Sequence, residues 1–213
     1  MKKILIGTHN KGKFKEFSYL ISSKYRKISP TLLKIKSPKE TGKSFSSNSK
    51  LKAKFFSKFV NYPVISDDSG LCVKALQGKP GIHSARLAKR KGSFLQAMKF
   101  ILKKLKKKKN RSATFVCNIS YINSDHKIIS VEGKIKGIIS SEILGKNGFG
   151  YDPIFIPNNK KITFGQMKKL KKIKMDHRFI AFKKLKKKIK TLWNYFFLFY
   201  KYLALAAPFY LWN

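Results

Sequence analysis

Apolar and polar positions follow two different periods along this chain, and the change of period predicts interleaved strands and helices. Short apolar runs and alternating segments, which are typical of strands, occur at 3–7, 64–66, 71–73, 113–122, 127–139 and 154–156. Apolar residues spaced three or four apart, which indicate helices, occur at 14–21, 45–59, 93–105, 164–173 and 177–188. This order predicts an α/β fold on a mixed sheet, with Ser44 or Ser46 capping the second helix.

Two adjacent carboxylates, Asp67 and Asp68, stand between the apolar residues Ile65 and Leu71. The chain has 49 Lys+Arg but only nine Asp+Glu, so such a pair needs an explanation. In one interpretation, a divalent metal ion beside a phosphorylated ligand relieves the repulsion between the two charges. In the other, a turn at Ser69-Gly70 uses both side chains to cap backbone donors. The pair by itself leaves both interpretations open.

The segment 8–13 connects the first predicted strand to the first predicted helix, and it contains Gly12 and Lys13. Backbone N–H groups and an ammonium near a helix start are suited to binding an anion. The segment is not a Walker A loop, because the second glycine and the Gly-Lys-Ser/Thr ending are absent. An ordinary strand-to-helix connection is the alternative.

Composition limits the class of protein. An apolar content of 43% excludes wholesale disorder, and the formal net charge is +40. Lysine is spread over nearly all polar segments and arginine is scarce, so we expect nonspecific, salt-sensitive binding to polyanions rather than base-specific recognition. No signal-peptide pattern opens the chain, which predicts a cytoplasmic protein whose Cys72 and Cys117 are reduced and buried.

The chain is predicted to divide into a catalytic domain at 1–190 and an apolar, aromatic extension at 191–213. About 20 residues of that extension would span a bilayer, with Trp and Tyr at both ends, although Lys201 near its centre would be costly there. A membrane-contacting tail and a packed or disordered extension both fit this pattern. Fractionation of the full chain against one that ends near Lys190 distinguishes them.

Eight ordered motifs extend across the predicted catalytic domain. They are Thr8–Lys13, Glu40–Gly42, Ser66–Leu71, Gly78–Gly81 with Ser84–Arg86, Phe115–Cys117, Gly148–Pro153, Thr163-Phe164 and His177-Arg178. In this order they resemble the inosine triphosphate pyrophosphatase family, over about residues 3–188. A set of eight motifs is far more specific than any one of them.

The resemblance implies a two-lobed fold in which helices flank an elongated mixed sheet and a nucleotide cleft lies between the lobes. It implies attack of water on the α-phosphorus of ITP, dITP, XTP or dXTP, with release of pyrophosphate and the monophosphate. Members of this family are usually homodimers that need Mg²⁺, and they clear deaminated purine nucleotides from the nucleotide pool.

The resemblance also implies roles for individual residues. Asp68 would hold Mg²⁺ and orient or deprotonate the attacking water, with Asp67 as the alternative or as a partner that shares the metal. Glu40 would be the second metal ligand, but Lys39 and Ser47 stand where the family commonly has acids, so that ligand stays open. The residues that would contact the substrate are Thr8, His9, Asn10, Lys11, Gly12, Lys13, Ser69, Phe149, Gly150, Tyr151, Asp152, Lys172, His177 and Arg178.

Base selection follows from hydrogen bonding at position 6 of the purine. His177 and Arg178 could donate to O6 of hypoxanthine or xanthine, whereas the amino group of adenine would be left unpaired. Guanine also has O6, so its exclusion must depend on position 2. The competing hypothesis is a nucleic-acid-binding protein on an inactivated scaffold of this family, which the charge of +40 and the changes at Lys39 and Ser47 suggest.

Overall fold

The structure, a computed structural model, describes the backbone of residues 1–206 and the side chains of residues 1–191. The predicted membrane contact of residues 192–212 lies outside the residues whose side chains are described. Within the described part of the chain, no helix is both long enough and apolar enough to cross a bilayer.

A six-stranded mixed sheet forms the centre of the molecule. Its strands are β1 (Lys2–Ile6), β2 (Tyr25–Ile28), β3 (Val64–Val73), β4 (Ser112–Ile122), β5 (Ile128–Ile139) and β6 (Phe155–Pro157). They lie in the order β2-β1-β3-β4-β5-β6. The β1 strand is parallel to both β2 and β3, whereas the pairs from β3 to β6 are antiparallel. The α/β fold and the mixed sheet predicted from the sequence are confirmed.

Among residues 1–206, six α-helices accompany this sheet. They are α1 (Lys11–Leu20), α2 (Phe45–Ser57), α3 (Ser84–Arg90), α4 (Phe94–Leu105), α5 (Lys169–Ile173) and α6 (His177–Ala206). Polar side chains define several of the helix starts. Asn10 caps α1 by accepting the N–H of Lys13 at 2.9 Å, and Ser44, not Ser46, caps α2 in a reciprocal pair with Ser47.

The largest local difference from the sequence prediction is at the acid pair. We expected strands at 64–66 and 71–73 separated by a turn at Ser69-Gly70, but β3 runs unbroken from Val64 to Val73. The reason is that β4 pairs with all ten residues of β3. Gly70 serves close packing here, since a Cβ would lie 2.1 Å from the carbonyl oxygen of Gly81.

Other elements differ at their ends. The sequence pattern did not predict β2 or α3, and α1 begins at Lys11 rather than at Phe14. The predicted helix at 164–173 is reduced to Lys169–Ile173. Gly165 explains the loss of its first half, because the backbone there turns against Pro153 and a Cβ would lie 2.7 Å from the Pro153 Cα.

Buried side chains form three apolar clusters that define two lobes. One cluster packs α3 and α4 against the far ends of β3 and β4, with Leu71, Ile101 and Phe155 at its centre. The other two lie on opposite faces of the sheet near β1, around Phe17 and around Phe56. The long strands β3, β4 and β5 connect the lobes.

Close packing of α6 on the sheet depends on Gly133 in β5. A Cβ at this position would lie 2.2 Å from the carbonyl oxygen of His177 and 2.3 Å from the backbone nitrogen of Ala181. Both obstacles are backbone atoms of one helix, so the helix would have to shift as a body.

We therefore expect Gly133→Ala to lower the free energy of unfolding by about 3 kcal/mol, because the added methyl group forces α6 off the sheet. Urea unfolding monitored by circular dichroism measures this change. Lys136→Ala, at an exposed position of the same strand, is the control and should change stability little. Equal unfolding midpoints for the two variants would contradict the packing argument.

Candidate active site

A cavity of about 90 Å³ lies between the two lobes and collects most of the residues predicted for the site. Twelve of the predicted residues line it: Asn10, Lys13, Glu40, Asp68, Ser69, Phe149, Gly150, Tyr151, Asp152, Lys172, His177 and Arg178. They come from segments separated by up to 168 positions in the chain, from Asn10 to Arg178. The sheet therefore brings together motifs that sequence order alone leaves far apart.

Four residues of the 8–13 segment do not line the cavity. The Thr8 hydroxyl accepts the N–H of Asn10 at 3.2 Å, so it shapes the loop. His9 contacts the carbonyl oxygen of Ile35 at 3.0 Å and the Ser37 hydroxyl at 2.7 Å, which joins this loop to the segment before Glu40. Lys11 is exposed, and Gly12 packs so closely on Phe149 that a Cβ would lie 2.5 Å from the ring.

Strand geometry separates the two adjacent carboxylates, because successive side chains of a strand point to opposite faces. Asp67 faces α1 and α6, where Lys13 lies 3.1 Å and Arg178 2.9 Å from Oδ2. Burial alone would raise the pKa of Asp67, but Lys13 and Arg178 outweigh it and hold the pKa far below its usual range. The cations beside Asp67 are thus protein side chains, and the capping turn proposed for the pair does not form.

Asp68 faces α2 and the cavity. Its Oδ2 accepts a hydrogen bond from the Asn48 amide at 3.0 Å, and its Oδ1 accepts the N–H of Ser69 at 3.0 Å. Burial is the main cause that raises the pKa of Asp68, and nearby Glu40 adds to it, against the lowering effect of Lys52. A carboxylate with a raised pKa at the wall of a cavity is suited to accept a proton.

Lys52 is a cavity-side residue that the sequence analysis missed. Its Nζ lies 2.7 Å from Glu40 and 4.0 Å from Asp68, so one ammonium lies between the two predicted metal ligands. Burial raises the pKa of Glu40, but the ion pair with Lys52 outweighs burial and the net change is downward. The available signal was the spacing of Asn48 and Lys52, four residues apart on one face of α2.

The two departures from the family pattern lie outside the cavity. Ser47 completes the cap of α2, since its hydroxyl accepts the backbone N–H of Ser44 at 2.9 Å. Lys39 is exposed. Neither side chain lines the cavity, where Glu40 and Asp68 are the facing carboxylates near Lys52.

The opposite end of the cavity is aromatic and cationic. Asp152 accepts the N–H of Phe149 at 2.8 Å and pairs with Lys172 at 2.8 Å, and the Lys172 ammonium lies 4.7 Å from the centroid of the Phe149 ring. Tyr151 is held by the core, because its hydroxyl donates to the carbonyl oxygen of Ser84 at 2.9 Å. His177 stacks on Phe115 with ring centroids 4.8 Å apart.

Arg178 is fully buried and joins the two ends of the cavity. Its guanidinium donates to Glu16, to Asp67 at 2.9 Å and to the Ser69 hydroxyl at 3.1 Å, while its Nε has no partner. Glu16, which the sequence analysis missed, also accepts from Lys172 at 2.6 Å. The available signal was a lone acid on α1, three residues after Lys13 on the same helix face.

His177 provides a second free polar atom at this end. Burial, together with the nearby charges of Arg178 and Lys172, lowers the pKa of His177 well below its usual range, so the ring is neutral at pH 7. Its Nδ1 is buried and has no hydrogen-bond partner. A ligand that offers hydrogen-bonding atoms here would therefore meet unpaired protein groups.

Six of the nine carboxylates in the chain lie in or beside this site. They are Glu16, Glu40, Asp67, Asp68, Asp152 and Asp176. A chain that is poor in acids has thus concentrated them around one cavity, where each approaches a lysine or arginine within 4.0 Å. The arrangement combines anion-binding cations with acids that can hold a metal ion or a proton.

The pairing of Asp67 generates a stability prediction. Asp67→Asn should lower the free energy of unfolding by about 3–5 kcal/mol at pH 7, because Arg178 and Lys13 lose their shared carboxylate. Asp125→Asn, at an exposed position, is the control and should change stability little. Denaturant titration measures both variants.

The loss of unfolding free energy in Asp67→Asn should also depend on pH in a defined direction. Because the folded-state pKa of Asp67 is depressed, its contribution is complete above the ordinary pKa of about 4 and declines as the pH falls further. The difference between wild type and Asp67→Asn should therefore narrow from pH 5 to pH 2. A difference independent of pH would contradict the ion-pair origin.

Comparison with known proteins places this architecture in one family. The family model for the Ham1 family matches residues 4–188. A dITP/XTP pyrophosphatase of Dictyoglomus thermophilum is 40% identical over 191 residues, which cover 86% of this chain and 92% of that protein. The corresponding enzyme of Borrelia duttonii is 42% identical over 196 residues, covering 88% and 96%.

Solved structures agree with the sequence relatives. The Ham1 protein of Staphylococcus aureus superposes with a TM-score of 0.79 at 37% identity, covering 89% of this chain and 99% of that one. A HAM1 protein from Coxiella burnetii has a TM-score of 0.80 at 30% identity, covering 90% and 100%. The chain belongs to the Ham1 family.

Proposed function

We propose that this protein hydrolyses deaminated purine nucleoside triphosphates, ITP and dITP or XTP and dXTP, to the monophosphate and pyrophosphate. The similarity to enzymes named dITP/XTP pyrophosphatase supports the substrate class. The observation that carries the proposal is that the two ends of the cavity differ in their chemical groups. One end presents Asp68, Glu40 and Lys13, and the other presents Phe149 and His177.

The first end suits a triphosphate. Lys13 stands on the first turn of α1, and the positive end of the helix dipole favours an anion here, although the N–H of Lys13 is taken by the Asn10 cap. Lys52 adds a second ammonium beside the cavity. Together these groups would neutralise the charge that develops on the departing pyrophosphate.

Asp68 is the group we assign to the attacking water. Its carboxylate is fixed by the Asn48 amide and the Ser69 N–H, and the residue lines the cavity. The raised pKa of Asp68 makes it a better proton acceptor than an ordinary carboxylate, provided that it is ionised at the working pH.

The residues at this end fit Mg²⁺. Asp68 and Glu40 offer hard oxygen ligands on either side of Lys52, which already lies between them as a cation. In the described part of the chain no group of three or more acidic, histidine or cysteine side chains is arranged for a metal ion. Two carboxylates accord with Mg²⁺, which takes few protein ligands and completes its shell with water and phosphate oxygens. When bound, it would supply charge neutralisation to the triphosphate.

The other end suits a 6-oxopurine. Phe149 offers a ring face for stacking, and the free Nδ1 of His177 and Nε of Arg178 are buried polar atoms without partners. An O6 acceptor could satisfy the Nε–H donor of Arg178, whereas adenine would present its amino group to that donor. Such a mismatch in a buried site discriminates strongly.

The competing hypothesis of a nucleic-acid-binding protein on an inactivated scaffold gains no support. The changes at Lys39 and Ser47 that suggested inactivation lie outside the cavity, and Asp68 and Glu40 are retained at its wall. The remaining charge does favour polyanion binding, since only Asp125, Glu132 and Glu142 lie away from the site. We propose that such binding is salt-labile and sequence-indifferent.

A homodimer and a catalytic unit that ends near residue 190 stay predictions.

The proposal predicts a selectivity order. Purified protein with Mg²⁺ should release pyrophosphate from ITP and XTP at least about 100-fold faster than from ATP, because adenine leaves buried donors unpaired. GTP should also be slow, and chelation of Mg²⁺ by EDTA should stop release from every substrate. Comparable rates on all four nucleotides would reject the selectivity.

Removal of the proton acceptor gives a second prediction. Asp68→Asn should reduce kcat on ITP by about 1,000-fold, since asparagine keeps an oxygen for Asn48 but cannot accept the proton. The circular dichroism spectrum and melting temperature should stay close to those of wild type. Asp125→Asn is the matched control and should keep full activity. Wild-type turnover in Asp68→Asn would remove Asp68 from this role.

A further inference from the structure

Asp176 is a buried carboxylate for which the proposed reaction has no role. It directly precedes α6, and its Oδ1 accepts the N–H of Phe179 at 2.8 Å while its carbonyl oxygen accepts the N–H of Ile180 at 3.0 Å. One side-chain oxygen therefore caps the helix whose first two residues are His177 and Arg178.

The other oxygen of Asp176 points to a different element. Its Oδ2 lies 3.7 Å from the Lys172 ammonium of α5 and has no hydrogen-bond partner. Lys172 is already paired with Glu16 at 2.6 Å and Asp152 at 2.8 Å. Three carboxylates thus surround one ammonium, and Asp176 makes the longest of the three contacts.

The charges of the buried ion-pair network around Arg178 do not balance. Four buried carboxylates, of Glu16, Asp67, Asp152 and Asp176, face three cations, of Lys13, Lys172 and Arg178. An unpaired charge away from water is costly, so one of these carboxyls is expected to hold a proton. Asp67 and Asp176 each have one oxygen without a donor. Asp67 contacts two cations within 3.1 Å, whereas the cation contact of Asp176 is 3.7 Å long, so Asp176 is the candidate.

The surroundings of Asp176 agree with that choice. Burial and the nearby Glu16 raise the pKa of Asp176 to about 7, against the lowering effects of Lys172 and Arg178. The ionisable groups that face it from the packed elements are Glu16 of α1, Cys117 of β4, Asp152 of the turn before β6, Lys172 of α5, and His177 and Arg178 of α6. The Cys117 thiol and the His177 ring are neutral at pH 7, because burial raises the pKa of the thiol and lowers that of the ring.

We propose that Asp176 is a positioning residue for the purine end of the cavity, and that its protonation state sets the charge presented there. This inference rests on the proposed function. Lys172 lines the cavity and Asp176 lies behind it. When Asp176 is neutral, Lys172 remains paired with Asp152 and close to Phe149. When Asp176 is ionised, it competes for Lys172 and adds negative charge behind the base site.

The two states should differ in substrate binding and not in chemistry. An added negative charge weakens the binding of an anionic nucleotide, so the KM for ITP should rise as Asp176 loses its proton. Asp68, at the other end of the cavity, is not among the groups that face Asp176, so kcat should not follow the same titration.

The test compares wild type with Asp176→Asn from pH 5.5 to pH 8.5. Asparagine keeps the capping oxygen and mimics the protonated carboxyl. We divide the KM of wild type for ITP by that of Asp176→Asn. This ratio cancels the titrations of the substrate phosphates and of the metal ion, because both proteins experience them equally. We expect this ratio to be near one below pH 6 and to reach about fivefold at pH 8.5, while the ratio of kcat values stays constant. A flat KM ratio, or a step in kcat instead, would overturn the inference.

Thermal unfolding provides a readout that needs no activity. A carboxyl whose pKa is raised in the folded state stabilises the fold at low pH, and that contribution is lost as the pH rises through the folded-state pKa. The Tm of wild type should therefore fall below that of Asp176→Asn between pH 5 and pH 8. A constant difference would refute a titrating Asp176, whereas failure of wild type to hydrolyse ITP would refute the proposed function.

Two further variants distinguish the capping role of the Asp176 side chain from the role of its charge. Asp176→Ser retains a capping hydroxyl without the charge, and it should reproduce the KM behaviour of Asp176→Asn even if the asparagine variant folds poorly. Asp176→Ala also removes the cap, so its Tm should be lower than that of Asp176→Ser at every pH. Equal Tm values for these two variants would remove the capping role.

Discussion

The carboxylate of Asp67 connects three elements of the structure through buried ion pairs. It lies on the central strand β3 and accepts from Lys13 of α1 and from Arg178 of α6. Arg178 in turn binds Glu16, which holds Lys172 of α5. Each of these groups would be costly to bury alone, so the network is stable only when all its members are in place. The same condition fixes the cations that face the cavity, which makes folding and preorganisation of the site one requirement.

The distribution of acids follows from that requirement. Lysine is abundant everywhere in the chain, but six of the nine carboxylates lie within 4.0 Å of a lysine or arginine at the site. The two neighbouring acids of β3 then serve different purposes, because strand alternation sends Asp67 into the network and Asp68 toward the cavity. Outside the site only Asp125, Glu132 and Glu142 oppose the lysines, so the outer surface is strongly positive.

The sequence pattern predicted the elements with strong periodicity, such as β4, β5, α2 and α4, and the fold class that their order implies. It failed where tertiary contacts override local preference. Ser69-Gly70 reads as a turn, yet ten consecutive pairs with β4 hold it as strand. The first half of the helix expected at 164–173 is lost because Gly165 turns against Pro153. Glu16 and Lys52 were missed because their only signals, a lone acid on α1 and a polar pair spaced by four on α2, do not by themselves indicate burial.

Sequence alone determined the set of chemical groups: the acid pair, the glycine- and lysine-containing loop, the aromatic Phe149 segment and the His177-Arg178 dipeptide. Their order along the chain was enough to indicate the family. Only the tertiary structure decided which acid meets which cation, because partners such as Glu16 and Lys172 are 156 positions apart and nothing in their neighbourhoods specifies the pairing. Ion pairing in a low-dielectric interior depends on distances of a few ångströms, and those distances exist only once the sheet has brought the helices together.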